Sequence, residues 1–136
     1  MLVNVSNHPS TKLWPKEQLE AARPYGQIVD FPLPYLGPDT TLEQTEAHAD
    51  EYCAKICAMK PDAVVVVGES VFVFQLVSRL LDAGQTVLCT RARRKVWEFK
   101  VFGKFPLRTS RYHFEAFVPY GRPKQQSQGE SQGEHE

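Results

Sequence analysis

The residues best suited to chemistry follow two short apolar runs. The run Val64–Val67 ends at Gly68–Ser70, and the run Thr86–Cys89 ends at Thr90–Arg94. Apolar, β-branched runs of this length are typical of buried parallel strands, whose ligands bind just beyond their carboxyl ends. Three arginines in the second loop favour an anion, because a guanidinium group pairs well with phosphate. The sequence therefore predicts a site for a phosphate-bearing ligand.

Each candidate also has a purely structural interpretation. His8, in the polar segment that follows the apolar residues Leu2–Val5, is a general base or phosphate contact, or else an ordinary surface histidine. Glu69 hydrogen-bonds a ribose or base, or it is an acid that stabilises the start of a helix. The arginines of Thr90–Arg94 contact the ligand, or they form a solvated strand edge. The sequence leaves these alternatives open.

Strands and helices that position these loops alternate along the chain. Strands are predicted at residues 2–6, 27–31, 64–67 and 86–90. Helices are predicted from Pro15 to residue 23, behind a capping box at Thr41–Gln44 (or Thr40–Glu43), and from Glu69 or Ser70 to residue 82. Such βαβ units imply a parallel sheet with helices on its faces.

The chain changes character after Arg94. Residues 95–102 and 109–118 predict an antiparallel hairpin, with Tyr112, Phe114 and Ala116 on one side. The predicted fold is therefore α/β and three-layer Rossmann-like, with a four-stranded parallel sheet core and an appended C-terminal hairpin. Residues 1–120 form one predicted domain, and the polar residues 121–136 a disordered tail.

Composition excludes several classes of protein. The 136 residues include 16 Lys and Arg against 16 Asp and Glu, so no global field holds DNA or a membrane surface. No long apolar run or signal peptide is present, which predicts a soluble cytoplasmic protein. The glycine-rich dinucleotide and phosphate loops and the esterase elbow are missing, and no cofactor is expected. Cys53 and Cys57 lie one helical turn apart near His48, but helix packing explains them better than a metal.

Several segments together resemble a known family. They are Leu2–His8, the apolar strand ending at Gly68–Glu69, the Thr90-x-x-Arg93 loop and the aromatic strand Phe114–Tyr120. Over about residues 1–120, the chain resembles small CRISPR-associated proteins of type III systems with a CARF-like Rossmann domain. The resemblance implies a homodimer that binds a cyclic oligoadenylate messenger, cyclic tetra-adenylate in the first instance, at its two-fold interface. Some members cleave the ring without metal and others only sequester it.

The family's Thr-Thr-Glu-Arg-like loop is only partly present. Thr90 and Arg93 match it, whereas Arg91 and Ala92 replace a hydroxyl and an acid. This departure favours binding of a polyanionic ring and leaves cleavage open. A generic Rossmann-like module that binds a mononucleotide or a protein is the third hypothesis.

Metal-independent cleavage needs a ribose 2′-OH held in line with the phosphodiester, together with stabilisation of the developing charge. The residues predicted to act in catalysis are His8, Ser70 and Arg93. Those predicted to bind the ligand are Ser6, Asn7, Ser10, Gly68, Glu69, Thr90 and Arg91. No metal ligand is predicted.

Overall fold

A computed structural model describes residues 1–99, Gly103 and residues 107–124 of the chain. Within these ranges the strands are β1 (Leu2–Val5), β2 (Ile28–Phe31), β3 (Ala63–Val66), β4 (Val87–Phe99) and β5 (Leu107–Pro119). The helices are α1 (Ser10–Leu13), α2 (Lys16–Ala22), α3 (Leu42–Ala58) and α4 (Ser70–Asp82), with a 3₁₀ turn at Arg23–Tyr25.

The strands form one mixed sheet in the order β2-β1-β3-β4-β5. β1 runs parallel to β2 and β3, β3 runs parallel to β4, and β5 is antiparallel to β4. From β1 the chain continues to β2, which lies on one side of β1. From β2 it crosses over to β3, which lies on the other side of β1. The carboxyl ends of β1 and β3 therefore flank a topological switch point, where open α/β sheets bind ligands.

Both faces of the parallel strands are buried, which explains why β1 and β3 are nearly uniformly apolar. On one face, Val64 and Val66 pack with Phe72 and Leu76 of α4 and Ile56 of α3. The opposite face is covered by the segment between β1 and β2. There Trp14 and Ala22 pack with Leu2, Val65 and Leu88.

The predicted four-stranded parallel core with an appended hairpin is wrong in one respect: the sheet has five strands. β4 does not stop near Thr90 but continues to Phe99, and β5 pairs with it along its length as the fifth strand. Only Val87 and Leu88 of β4 pair with β3. The remainder of the hairpin, residues 90–99 and 107–117, extends past the parallel strands as a two-stranded ribbon, called the ribbon below.

Most other predicted elements are confirmed within two or three residues. The capping box uses the Thr41 register: Thr41 Oγ1 accepts from Gln44 N at 3.1 Å, and Gln44 Oε1 accepts from Thr41 N at 2.9 Å. The short helix α1 was not predicted. The hairpin turn around residues 100–106 lies mostly outside the described residues, as does the tail from residue 125. No helix in the described ranges has the length and apolar character needed to cross a membrane.

Candidate functional site

A cavity of about 320 Å³ lies at the carboxyl ends of β1 and β3 and beside Thr90 and Ala92 of β4, under the base of the ribbon. Aromatic side chains from two separate elements line it: Trp14, which precedes α2, and Tyr112 and Phe114 of β5. Gln18 of α2 adds an amide, and the residue as a whole is 9% exposed. Among the described residues its side chain makes no hydrogen bond. We call this space the aromatic cavity; its rings and its amide suit a planar heteroaromatic group.

A polar network holds the loop above this cavity. Asn4, buried on β1, donates from Nδ2 to Asp30 Oδ1 at 2.9 Å and to the carbonyl of His8 at 3.0 Å. Ser6 Oγ donates to Asn4 Oδ1 at 2.9 Å and accepts from the His8 amide at 3.1 Å. Asp30 also accepts from the backbone and hydroxyl of Ser10 at 3.1–3.2 Å. Ser6 and Ser10 thus shape the loop, and their hydroxyls are already engaged.

The same loop borders a second cavity of about 300 Å³, formed with residues that precede α4. His8, an exposed side chain, lines both cavities. Asn7 lines the second, and its Oδ1 accepts from Leu33 N at 3.3 Å. Gly68 lies against Leu33 as well, since a Cβ there would stand 2.5 Å from Leu33 Cδ1. His8 is therefore the titratable group placed to serve either cavity.

Glu69 stabilises the start of a helix, as its structural interpretation predicted. Its carboxylate is the N-cap of α4 and accepts from Val71 N at 2.6 Å and Phe72 N at 3.0 Å. Two of the N–H groups at the start of α4, which would otherwise suit a phosphate, are thus already occupied by a carboxylate. Ser70, the first residue of α4, is exposed and lines neither cavity.

The ribbon divides the arginines between its two faces. Thr90 and Ala92 line the aromatic cavity, so alternation along β4 places Arg94 on that side and Arg91 and Arg93 on the other. Arg94 pairs across the ribbon with Tyr112, another cavity residue. Arg93 instead makes an ion pair with Glu115 at 3.0 Å. Arg94 therefore lies on the side of the ribbon that faces the cavity, although it does not line the cavity, and the predicted Arg93 lies on the other side.

A β-bulge sets this arrangement. Arg91 pairs with Ala116 and Ala92 with Phe114, which leaves Glu115 as the extra residue of β5. The prediction that Ala116 shares a side with Tyr112 and Phe114 is wrong for this reason. Phe114 and Phe117 meet edge to face, with ring centroids 5.0 Å apart. The ring of Phe117 also packs against Trp14, with ring centroids 5.8 Å apart.

The structure brings together only part of the predicted site. The aromatic cavity gathers Ser6, His8 and Thr90, and the second cavity gathers Asn7, His8, Gly68 and Glu69. Ser10 lies behind the loop, bonded to Asp30. Arg91, Arg93 and Ser70 line neither space.

Sequence reasoning missed the residues that give the aromatic cavity its character: Asn4, Trp14, Gln18, Asp30, Tyr112 and Phe114. The alternation of Tyr112 and Phe114 indicated that they share one side of the hairpin. Nothing in the sequence indicated that this side of the hairpin lies over β1. Gln18 gave no signal, because it lies within a predicted helix that served only to connect two parallel strands.

Titratable groups with shifted pKa values lie away from this site. Burial, followed by its neighbour Cys57, raises the pKa of Cys53 to about 11. Burial also raises the pKa of Tyr120, with Cys89 adding to the effect. The cysteines Cys53, Cys57 and Cys89 are free thiols and are half-buried. No cluster of three or more potential metal-binding side chains occurs in the part of the chain that the structure describes.

Sheet order, helices on both faces and a cavity at the switch point define a Rossmann-like α/β protein with a cavity at the carboxyl edge of its parallel strands. The chain belongs to the uncharacterized protein MJ1673 family, whose model matches residues 1–118. No curated protein matches the chain. No solved structure matches it either.

Proposed function

We propose that this protein is a CARF-like protein that binds a cyclic oligoadenylate, with an adenine in the aromatic cavity. The observation that carries the proposal is Gln18, a largely buried residue whose amide makes no hydrogen bond to any described residue and borders a space lined by three aromatic rings. Glutamine amides pair with adenine by two hydrogen bonds. Tyr112, 75% exposed, offers a ring face on which a base can stack.

The ring's phosphates would follow the rim of the cavity. Arg94 lies on this side of the ribbon opposite Tyr112, with Arg108 farther along β5, and Arg–phosphate pairs are strong because the planar guanidinium makes two parallel hydrogen bonds. His8 lies at the opposite rim, exposed and within the loop fixed by Asn4 and Asp30. This loop is rigid enough to hold a ribose or phosphate in one position.

Cleavage is the extension of this proposal. His8 would accept the proton of a ribose 2′-OH as that oxygen attacks the adjacent phosphorus and the 5′-oxygen leaves, giving a linear product with a 2′,3′-cyclic phosphate. The alternative is a binder that leaves the ring intact. It is favoured by Arg93, the predicted charge stabiliser, which points away from the cavity and pairs with Glu115.

A homodimer with the ligand at its two-fold axis is also proposed. Its support is an apolar surface at the amino-terminal ends of α3 and α4: Leu42 is 57%, Val71 49% and Phe74 68% exposed. This surface borders a further cavity of about 420 Å³ that reaches Glu69, close to the carboxyl edge. Phe74→Asp should convert a dimer into a monomer in light scattering, and an unchanged mass would contradict this interface.

The deciding experiment incubates the protein in EDTA with cyclic tri-, tetra- and hexa-adenylate, with AMP as the competitor. Binding is followed by calorimetry and products by chromatography. Gln18→Ala should weaken ring binding by about tenfold. Gln27→Ala, in an exposed position before β2, is the matched control and should bind like the wild type.

Each outcome has a distinct meaning. Linear products that disappear in His8→Ala support the nuclease, and a ring bound but unchanged supports the binder. AMP binding as tight as the ring's would favour a mononucleotide module. If no ring binds, the proposal fails.

A further inference from the structure

The outward face of the ribbon, opposite the aromatic cavity, concentrates positive charge. We call it the cationic face; its members are Arg91, Arg93, Lys95, Trp97, Arg111 and His113. Cross-strand pairs Arg93–His113, Lys95–Arg111 and Trp97–Thr109 place them on one side. Trp97 and His113 confirm the shared face directly, with ring centroids 6.1 Å apart.

The overall neutrality of the chain hides this concentration. Residues 1–86 carry six Lys and Arg against eleven Asp and Glu, whereas the ribbon, residues 90–99 and 107–117, carries six against two. The ribbon is therefore strongly basic and the helical part acidic. Zero net charge, on which the expectation of no DNA partner rested, does not describe the field near the ribbon.

The cations on this face are accessible and mostly unengaged. Every residue from Arg91 to Glu98 is exposed, as are Arg111 and His113. Among the described residues, the ion pair between Arg93 and Glu115 is the one that involves a cation of this face. Arg91, Arg93 and Lys95 recur at every second residue, about 7 Å apart. A repeating anion fits this row better than a single small one.

Trp97 distinguishes between polyanions. It is 39% exposed, and its ring stands beside His113 among the cations. A tryptophan within a basic surface is suited to stacking on an unpaired base, which a duplex does not present. We infer that the cationic face binds single-stranded nucleic acid, with cations on successive phosphates and a base on Trp97.

The proposal concerns a surface separate from the aromatic cavity and does not depend on it. It is tested with fluorescein-labelled 20-nucleotide oligouridylate and oligothymidylate and a 20-base-pair DNA duplex, by fluorescence anisotropy from 50 to 200 mM salt. The two single strands separate RNA from DNA as the source of the same chemistry.

Lys95→Ala combined with Arg111→Ala should weaken single-strand binding about tenfold, and should lower the slope of log Kd against log salt by about 1.4, since each phosphate contact contributes about 0.7. Lys12→Ala combined with Lys16→Ala removes the same charge from exposed positions near α2 and should leave binding nearly unchanged. Trp97→Ala should cost about fivefold or more, and Trp97→Phe should restore most of it.

The cavity variant Gln18→Ala separates the two sites, because it should bind single strands like the wild type even if no cyclic oligoadenylate binds. Equal losses in the ribbon and control double variants would overturn the proposal. So would tighter binding to the duplex than to both single strands, or no binding at 50 mM salt. Circular dichroism of each variant checks that the fold is retained.

Discussion

The parallel part of the sheet and the ribbon share a strand but follow opposite physical rules. Before Thr90, β4 contributes Val87 and Leu88, nearly fully buried, to a core with helices on both faces. Beyond it, every described side chain of β4 through Glu98 is exposed. The parallel part is stabilised by burial of apolar surface, while the ribbon depends on cross-strand hydrogen bonds and local pairs. Stability therefore belongs to one region, and accessible charge to the other.

The largest effect should come from the core side of this contrast. Phe72→Ala in α4 removes a ring with no exposed surface that packs against Tyr52, and should cost about 3–5 kcal/mol in the free energy of unfolding. Phe74→Ala, two residues along the same helix and 68% exposed, should change it by less than about 0.5 kcal/mol in the monomer. Urea denaturation measures both. Equal losses would mean that Phe74 is covered.

Next in size is the network beneath the His8 loop. Asp30→Ala leaves the Ser10 amide and one Asn4 donor without their acceptor, which should cost about 1–3 kcal/mol. Asp39→Ala, at an exposed carboxylate, is the matched control and should be close to neutral. A neutral result for Asp30→Ala in thermal denaturation would show that the loop does not need this anchor.

Stability should depend on pH through Cys53 of α3, in the helical part of the protein and not in the ribbon. The pKa of Cys53 is raised to about 11 from its ordinary value of 9.0, so the unfolded chain loses this proton first. Stability is then fully present below pH 9 and falls as the pH rises from 9 to 11. Partial exposure limits the effect to about 1 kcal/mol. Cys53→Ser should flatten this part of the Tm-against-pH curve, and an unaltered slope would contradict the assignment.

The smallest effect should lie on the ribbon itself. Glu115→Gln breaks the exposed pair with Arg93 and should cost about 0.2–1 kcal/mol, less at high salt. The same change should strengthen single-strand binding slightly, because it frees a cation. A loss above 2 kcal/mol would show that the ribbon carries more of the fold's stability than its exposure indicates.

Local patterns predicted the parallel half of the fold well. The apolar run before Gly68, the Thr41–Gln44 capping box and the predicted helix from Glu69 or Ser70 to residue 82 each follow from a short-range rule. The course of β4 from Arg91 to Arg94 escaped prediction, because a strand that leaves the core loses the apolar pattern by which buried strands are found. Residues 95–99 were predicted as a strand of the hairpin, but not as a continuation of β4. The arginines of Thr90–Arg94 were interpreted as a loop for the same reason.

The sequence predicted the sheet edge at which the candidate site lies, but not all of the side chains that line it. Ser6, His8 and Thr90 do meet, since the carboxyl ends of parallel strands converge. Which arginine faces the cavity depends on where β4 lies relative to α2, a tertiary fact with no local signal. Glu69 was correctly given two interpretations, and its bonds to Val71 and Phe72 support the structural one.

Glu115 has one further consequence, which concerns insertions and deletions. Because side chains of a strand alternate in direction, one extra residue sets the phase of everything beyond it. Here the bulge absorbs the extra residue, so deleting Glu115 would leave Phe114 opposite Ala92 and keep Tyr112 and Phe114 over the cavity. A relative one residue shorter at this point would keep the two surfaces of its ribbon on a regular ladder, and would lose the carboxylate that pairs with Arg93.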